Sequence, residues 1–295
     1  MNVKRNHWPL IAAVIFGVQA QMALGQGIAD AVPAEDVPVE ATSELAPGPL
    51  ADGETLPSPD DLVQRLKTQQ QKSSTLRLRA RLEVDLPGEE NDRAVQLMIK
   101  QRQNEALRQT LLIAMWPRDR KGEALMIERD AAEAEISGFR FVPQDGATPV
   151  TEADLGEPLW GTSVRPEDLF ESFWDWPRHA TIGATSAGRR DCWIVESYQH
   201  ENKPFPAVRS CVGVEEDIPL VIERFDAEGE LIARIRADKL IFREDRGWLP
   251  VVLTVETPAT QERATIRFTR SDRDVVYTPE EFTPEGVRAL SAPTS

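Results

Sequence analysis

From Thr75 the chain reads T-L-R-L-R-A-R-L-E-V-D-L, placing Leu76, Leu78, Ala80, Leu82, Val84 and Leu86 at every second position with charged residues between them. Side chains of a strand point alternately to its two faces, so this spacing predicts a long strand with one apolar and one wet face. A helix cannot satisfy it, because a period of two scatters apolar groups around a 3.6-residue turn. The alternation recurs at Val95, Leu97 and Ile99, at Leu231, Ala233 and Ile235, at Val251, Leu253 and Val255, and at Ile266 and Phe268. Leu107–Trp116 is apolar on both faces, and Gly146, Gly188, Gly229 and Gly247 punctuate the runs as turns. The pattern predicts a mainly β, α+β fold: a single curved antiparallel sheet covered by helices.

Two segments break the alternation. Residues 59–71 place Leu62, Val63 and Leu66 on one side of a helix. Between Leu159 and Trp176, Thr162 and Ser163 offer a cap, Pro166 suits a first turn, Glu167 and Asp168 favour its positive end, and Pro177 stops it. This predicts one helix of about three turns with Leu169, Phe170, Phe173 and Trp174 as a single apolar stripe. Such a stripe serves either as ordinary core or as a plug over an apolar cavity, and the spacing alone does not choose.

The ends of the chain carry other information. Lys4 and Arg5 precede an apolar run from Trp8 to Leu24 that closes on Ala23, Leu24 and Gly25, which reads as a secretory signal peptide over residues 1–25, cleaved before Gln26. An uncleaved inner-membrane anchor is the lesser reading, because Gln19 and Gln21 sit badly in a span. Residues 26–59 are acidic and proline-rich and predict a disordered linker. Residues 60–290 remain for one β domain. With 34 basic against 49 acidic residues the formal net charge is −15, a field that repels phosphate backbones and excludes nucleic acid as a partner.

Cys192 and Cys211 flank a turn-like stretch centred near Asn202 and Lys203, which sets them nearly opposite on neighbouring antiparallel strands. A bridge between them is geometrically feasible and suits an exported chain, against the alternative of two buried thiols. Catalytic material is sparse. His179 and His200 are the histidines after the leader, so neither a metal site nor a cofactor site is expected. Ser163, Asp168 and His179 form a conceivable triad, but the serine is better used as a cap. The expected catalytic set is therefore empty and the chain is expected not to be an enzyme.

Long strands with one apolar face must bury it, against a second sheet, inside a closed barrel, or under helices across a half-closed barrel. The last gives the aromatic segment a task. An incompletely filled interior would accept acyl chains, at about 0.8 kcal/mol per buried methylene.

Five stretches carry a family resemblance: G-T-S-V-R-P-E-D-L, C-W-I-V-E, I-P-L-V-I-E-R-F-D-A-E-G-E-L, G-W-L-P-V-V-L-T-V and a late E-E-F. In their order and spacing, marked by Gly161, Thr162, Asp168, Leu169, Cys192, Pro219, Asp226, Gly229, Gly247 and Pro250, the chain resembles the LolA-like superfamily, in its outer-membrane lipoprotein-sorting branch, from about Asp60 to Phe282. The resemblance implies an incomplete β-barrel with helices over an apolar cavity, residing in the periplasm. It further implies binding of lipid or lipoprotein acyl chains, with a membrane-associated protein as a further partner. The expected cavity and lid residues are Leu76, Leu78, Leu82, Val84, Val95, Leu97, Ile99, Leu169, Phe170, Phe173 and Trp174. Ser163 stands where the branch often has aspartate, and the acidic linker is not a usual family part. A sensor of envelope stress or lipoproteins acting through a partner, and a secreted hydrolase, are the alternative readings.

Overall fold

The computed structural model describes residues 43–50, 55–71, 75–85, 93–103, 107–130, 136–169, 172–199, 206–244 and 247–291. The expected leader, Phe170 and His200 lie outside them. A helix α1 (Pro59–Gln71) precedes β1 (Thr75–Asp85), β2 (Arg93–Gln103), β3 (Leu107–Trp116), β4 (Ala124–Asp130), β5 (Ile136–Val142) and β6 (Gly146–Pro149). A short helix α2 (Glu152–Leu155) and the aromatic segment then lead into β7 (Arg178–Ala187), β8 (Arg190–Tyr198), β9 (Ala207–Gly213) and β10 (Pro219–Phe225). The chain continues through β11 (Leu231–Arg243), β12 (Gly247–Thr257), β13 (Glu262–Arg273) and a C-terminal helix α3 (Pro284–Ser291).

All thirteen strands form one sheet in the order β6-β5-β4-β3-β2-β1-β13-β12-β11-β10-β9-β8-β7, so that β6 and β7 remain as open edges. The sheet is single and antiparallel, as the alternation predicts, and unclosed, as the family resemblance implies. Its register explains why. Leu78 faces Ile99, and Leu82 faces Val95 on one side and Ile266 on the other, so the apolar sets of three strands meet on one face. A slip of one residue would turn the whole set of leucines into water, which fixes the pairing.

That inner face, with Leu62, Val63 and Leu66 of α1 laid against it, forms the main apolar cluster. The outer face is covered at its two ends by different means. Beside β6, Leu111, Ile113, Met126, Phe139 and Phe141 pack under Phe282 and Val287 from the C-terminal turn and helix. This accounts for the two-sided apolar reading of β3, since Leu112 and Ala114 face inward while Leu111 and Ile113 face the C-terminal cover.

Beside β7, the cover is a strap from the segment expected to be a free linker. Leu45 is 1% exposed and packs on Cys192, Cys211, Ile218, Leu220 and Val221. The Gly48 amide donates to the Ala184 carbonyl at 2.8 Å, and Pro47 lies so close to Gly183 that a Cβ there would sit 2.6 Å from it. Ser43 Oγ and the Glu44 amide donate to the two carboxylate oxygens of Glu223, at 2.6 and 2.8 Å. The disordered reading is thus corrected for residues 43–50: composition there is linker-like, but distant carboxylate and guanidinium groups satisfy its backbone and one leucine finds a pocket. Beneath the strap, Arg234 bonds Glu223 at 2.9 Å and Arg263 bonds Glu256 at 2.8 Å, so buried charges on the outer face are paired.

Cys192 and Cys211 are bonded, with Cα atoms 5.3 Å apart. Cys192 faces Gly213 and Cys211 faces Ile194, so the bridge runs diagonally across β8 and β9, close to the register that a turn near Asn202 sets. Closing a loop of 19 residues contributes about 3 kcal/mol on the chain-entropy estimate.

Candidate functional site: a plugged apolar sheet face

The aromatic segment is not one helix. It forms two 3-10 turns, Pro166–Leu169 and Ser172–Asp175. The reason is a contact from far along the chain. The carbonyl of Glu167, which an α-helix would pair with an amide four residues on, accepts from the Arg224 guanidinium of β10. The start also differs from expectation. The Asp168 carboxylate, not Ser163, caps the turn by accepting from the Arg165 amide at 2.8 Å, while Thr162 Oγ1 donates to the Leu159 carbonyl at 2.7 Å.

The turns nevertheless deliver their aromatic side chains as a plug. Phe173 and Trp174 are 1% and 0% exposed, with ring centroids 4.5 Å apart, and Trp176 meets Phe173 edge-on at 6.2 Å. Leu169, Phe173 and Trp174 belong to one cluster with Leu76, Leu78, Leu82, Val84, Val95, Leu97 and Ile99. Every described residue expected to line the cavity or its lid is therefore brought together, sealed from solvent and packed; Phe170 lies outside the described residues. The aromatic rings thus close the inner face from solvent.

Two cations hold the segment, Arg224 and Lys67, and sequence reasoning missed the first. Arg224 is buried, its Nη1 lies 3.3 Å from Glu167 Oε2 and its Nε 3.4 Å from Asp168 Oδ1. Burial raises the Asp168 carboxyl above the ordinary aspartate range, against the opposing pull of Arg224 and the Arg165 amide. A second tie joins Lys67 of α1 to Asp175 at 3.1 Å. The clue to Arg224 is its parity, since it follows Ile222 by two residues and so puts a charge on the strand's inward, apolar face. A buried cation at such a place needs a carboxylate, and the plug supplies two.

The conceivable triad is not assembled. Asp168 faces Arg224, and His179 Nδ1 lies 2.9 Å from Ser197 Oγ with its ring 6.5 Å from that of Trp174. Burial lowers the His179 pKa, opposed by the Trp176 backbone. Among the described residues, no group of three or more His, Cys, Asp or Glu is placed to hold a metal ion.

A family model described as that of an uncharacterized protein matches residues 106–288. Among solved structures, a DUF1329 family protein from Desulfovibrio piger superposes with a TM-score of 0.70 at 14% identity, covering 77% of this chain and 96% of that one. A Vibrio parahaemolyticus domain provisionally named as an outer membrane lipoprotein-sorting protein gives 0.69 at 14%, covering 77% and 97%. A LolA superfamily protein from Nitrosomonas europaea gives 0.62 at 13%, covering 76% and 97%. At these identities the likeness is one of fold. No curated protein matches the sequence.

Proposed function

Because the chain belongs to the family whose model spans residues 106–288, and its fold is LolA-like, we propose that it is a non-catalytic periplasmic carrier that binds the acyl chains of lipids or lipoproteins. The observation behind this reading is the plugged inner face. A continuous apolar wall from Leu76 to Ile99 lies under Phe173 and Trp174, and the plug is tied down chiefly by a few polar contacts to Arg224 and Lys67. Acyl chains suit such a wall because apolar burial is non-directional. A chain of about sixteen carbons regains roughly 0.8 kcal/mol per methylene, enough to offset lifting two aromatic rings.

Export agrees with the apolar leader and with the disulfide, which persists in oxidising compartments. The non-catalytic reading is supported by the separate engagement of Asp168 and His179. Sorting of lipoproteins toward the outer membrane, with delivery by a membrane-associated partner, completes the proposal. Native mass spectrometry of the gently purified protein should show bound lipid. A persistently empty protein, whose tryptophan emission also ignores added acyl ligands, overturns it.

A sensor acting through a protein partner is the second reading. It draws on Phe242, 57% exposed at the β11–β12 tip and set edge-on against the half-buried Trp248 at 5.4 Å, an exposed aromatic ring of the kind partners cover. Co-purification of a partner lost on Phe242→Ser, without lipid transfer between membranes, favours it.

A further inference from the structure

The strap on the outer face begins at the mouth of a groove. Its first described residue, Ser43, accepts from Arg209 Nη1 at 2.9 Å, and the same arginine lines a groove of about 550 Å³ that continues the outer face beyond Ser43. Strand parity puts it there. Glu196 and Tyr198 of β8, Arg209 of β9 and Phe225 of β10 share the face of Cys192, Cys211 and Val221, the residues on which Leu45 packs. In the ladder Arg209 faces Glu196 and Glu223, and Ala207 faces Tyr198 and Phe225, so the groove is the next step along the three strands that already hold the strap.

Most of the polar groups in the groove are engaged. Glu196 accepts from Arg209 Nε and Nη2 at 3.0 and 2.7 Å, and from the Tyr198 hydroxyl. Asp226 Oδ1 accepts from the amides of Glu228 and Glu230 at 3.1 and 2.8 Å. The Arg209 guanidinium also lies over the Phe225 ring, 5.4 Å from its centroid. Arg178 differs. It is exposed, sits 5.6 Å over the Tyr198 ring, and has no carboxylate partner among the described residues. With two arginines against two carboxylates the lining is balanced, so the groove does not select an anion as such. It offers two half-buried aromatic rings, the small apolar surface of Pro206 and Ala207, and one guanidinium with unused donors.

The sequence ahead of Ser43 matches that offer. Residues 37–42 read V-P-V-E-A-T and lie outside the described residues. Six extended residues reach about 20 Å, enough to cross three strands spaced about 4.8 Å apart. Pro38 biases the residue before it toward extended backbone. Val37, Pro38 and Val39 carry apolar surface for the rings, and Glu40 carries a carboxylate for Arg178. Because Ser43 is anchored at the mouth of the groove, the segment is present there at an effective concentration on the order of millimolar, so a weak intrinsic affinity fills the site.

We propose that residues 37–42 dock in this groove, with Pro38 and Val39 against Tyr198 and Phe225 and Glu40 at Arg178, extending the strap across β8–β10. Docking here is independent of what the inner face binds. It fixes the point at which the rest of the acidic segment leaves the domain.

Amide hydrogen exchange of the full chain, read by mass spectrometry, tests this. The amides of residues 39–42 are expected to exchange about tenfold or more slower than in a free peptide of the same sequence. Val39→Ser, a change in the segment itself and so harmless to the sheet, should remove most of that protection while the Gly48 amide keeps its own. Glu40→Gln and Arg178→Gln should each accelerate exchange by about two- to fivefold, the range of an exposed ion pair. Together they should lose no more than either does alone. Exchange at the free-peptide rate in the parent chain overturns the proposal, as does protection that Val39→Ser leaves untouched. Fully additive losses at Glu40 and Arg178 overturn the pairing that places the segment. Protection that falls on dilution overturns the intramolecular occupant and assigns the groove to the same segment of a second copy.

Discussion

The two faces of the sheet solve the burial problem in opposite ways. Inward, Leu76, Leu78, Leu82, Val95 and Ile99 are interchangeable apolar surface closed by two aromatic rings. Outward beside β7, burial is achieved by specific pairing: Glu223, fully buried, accepts from Arg234, Ser43 and the Glu44 amide at once, and Arg209 Nη1 donates to Ser43 Oγ and the Leu45 carbonyl at 2.9 and 3.2 Å. A non-directional wall tolerates exchange of one apolar occupant for another, whereas a directional network tolerates none. On the proposed carrier reading the inner face exchanges its occupant while the outer face acts as the fixed frame around it.

Substitutions should divide along that line. The largest effect is expected from replacing both Phe173 and Trp174 by alanine. Each truncation of a buried aromatic costs about 3–5 kcal/mol when its neighbours cannot relax. If the pair is a displaceable plug, the sheet keeps its far-ultraviolet circular dichroism and urea transition while acyl uptake is lost; collapse of the whole sheet would make the inner face an ordinary core. Glu223→Ala comes next. Removing Glu223 takes from Arg234 its shortest carboxylate contact, leaving Glu44 and Glu256 at 3.6 and 3.7 Å, at up to about 3–5 kcal/mol, and should detach the strap, read as new proteolytic cleavage near residues 43–50. If stability is unchanged, the outer network is not a frame.

Reduction of the Cys192–Cys211 bond is expected to lower unfolding stability by about 3 kcal/mol, and Leu45, which packs on it, should become accessible to protease in the same titration. A Leu45→Ala variant should be about 2–3 kcal/mol less stable, with inner-face ligand uptake retained.

The smallest expected effects are in the pH dependence, where the two faces should have opposite slopes. Asp168, on the plug, has its pKa raised by burial, so its contribution to stability is present below the ordinary aspartate value and is lost as pH rises through the raised one. Glu281, under the C-terminal cover, is affected by burial in the upward direction, but its bonds to Lys100 and the Thr278 amide win and its pKa is lowered. Its contribution is present above the ordinary glutamate value and lost as pH falls through the lowered one. Urea unfolding of Asp168→Asn and Glu281→Gln across the acid range, each against the parent protein, should give differences of opposite sign; equal signs would break the contrast.

The strand alternation is legible because period two is written within each strand, and each apolar run in turn dictates its neighbours' register. The cysteine placement follows from one turn. The 3-10 geometry of the plug is not legible, because the group that takes the Glu167 carbonyl lies 57 residues away on β10. The strap is hidden for the same reason: acids and prolines around Leu45 look like linker until Glu223 and Arg209, far along the chain, meet their backbone. Arg224 alone leaves a trace, as a charge at an inward position.

Hydrogen exchange at the amides of residues 167–175, measured with and without a saturating sixteen-carbon acyl ligand, tests the plugged-carrier account most directly. The account predicts faster exchange confined to this segment when ligand is bound, with β1 and β2 unchanged or slower. Exchange in the segment that stays the same while ligand is demonstrably bound, or that rises only together with the whole sheet, contradicts it.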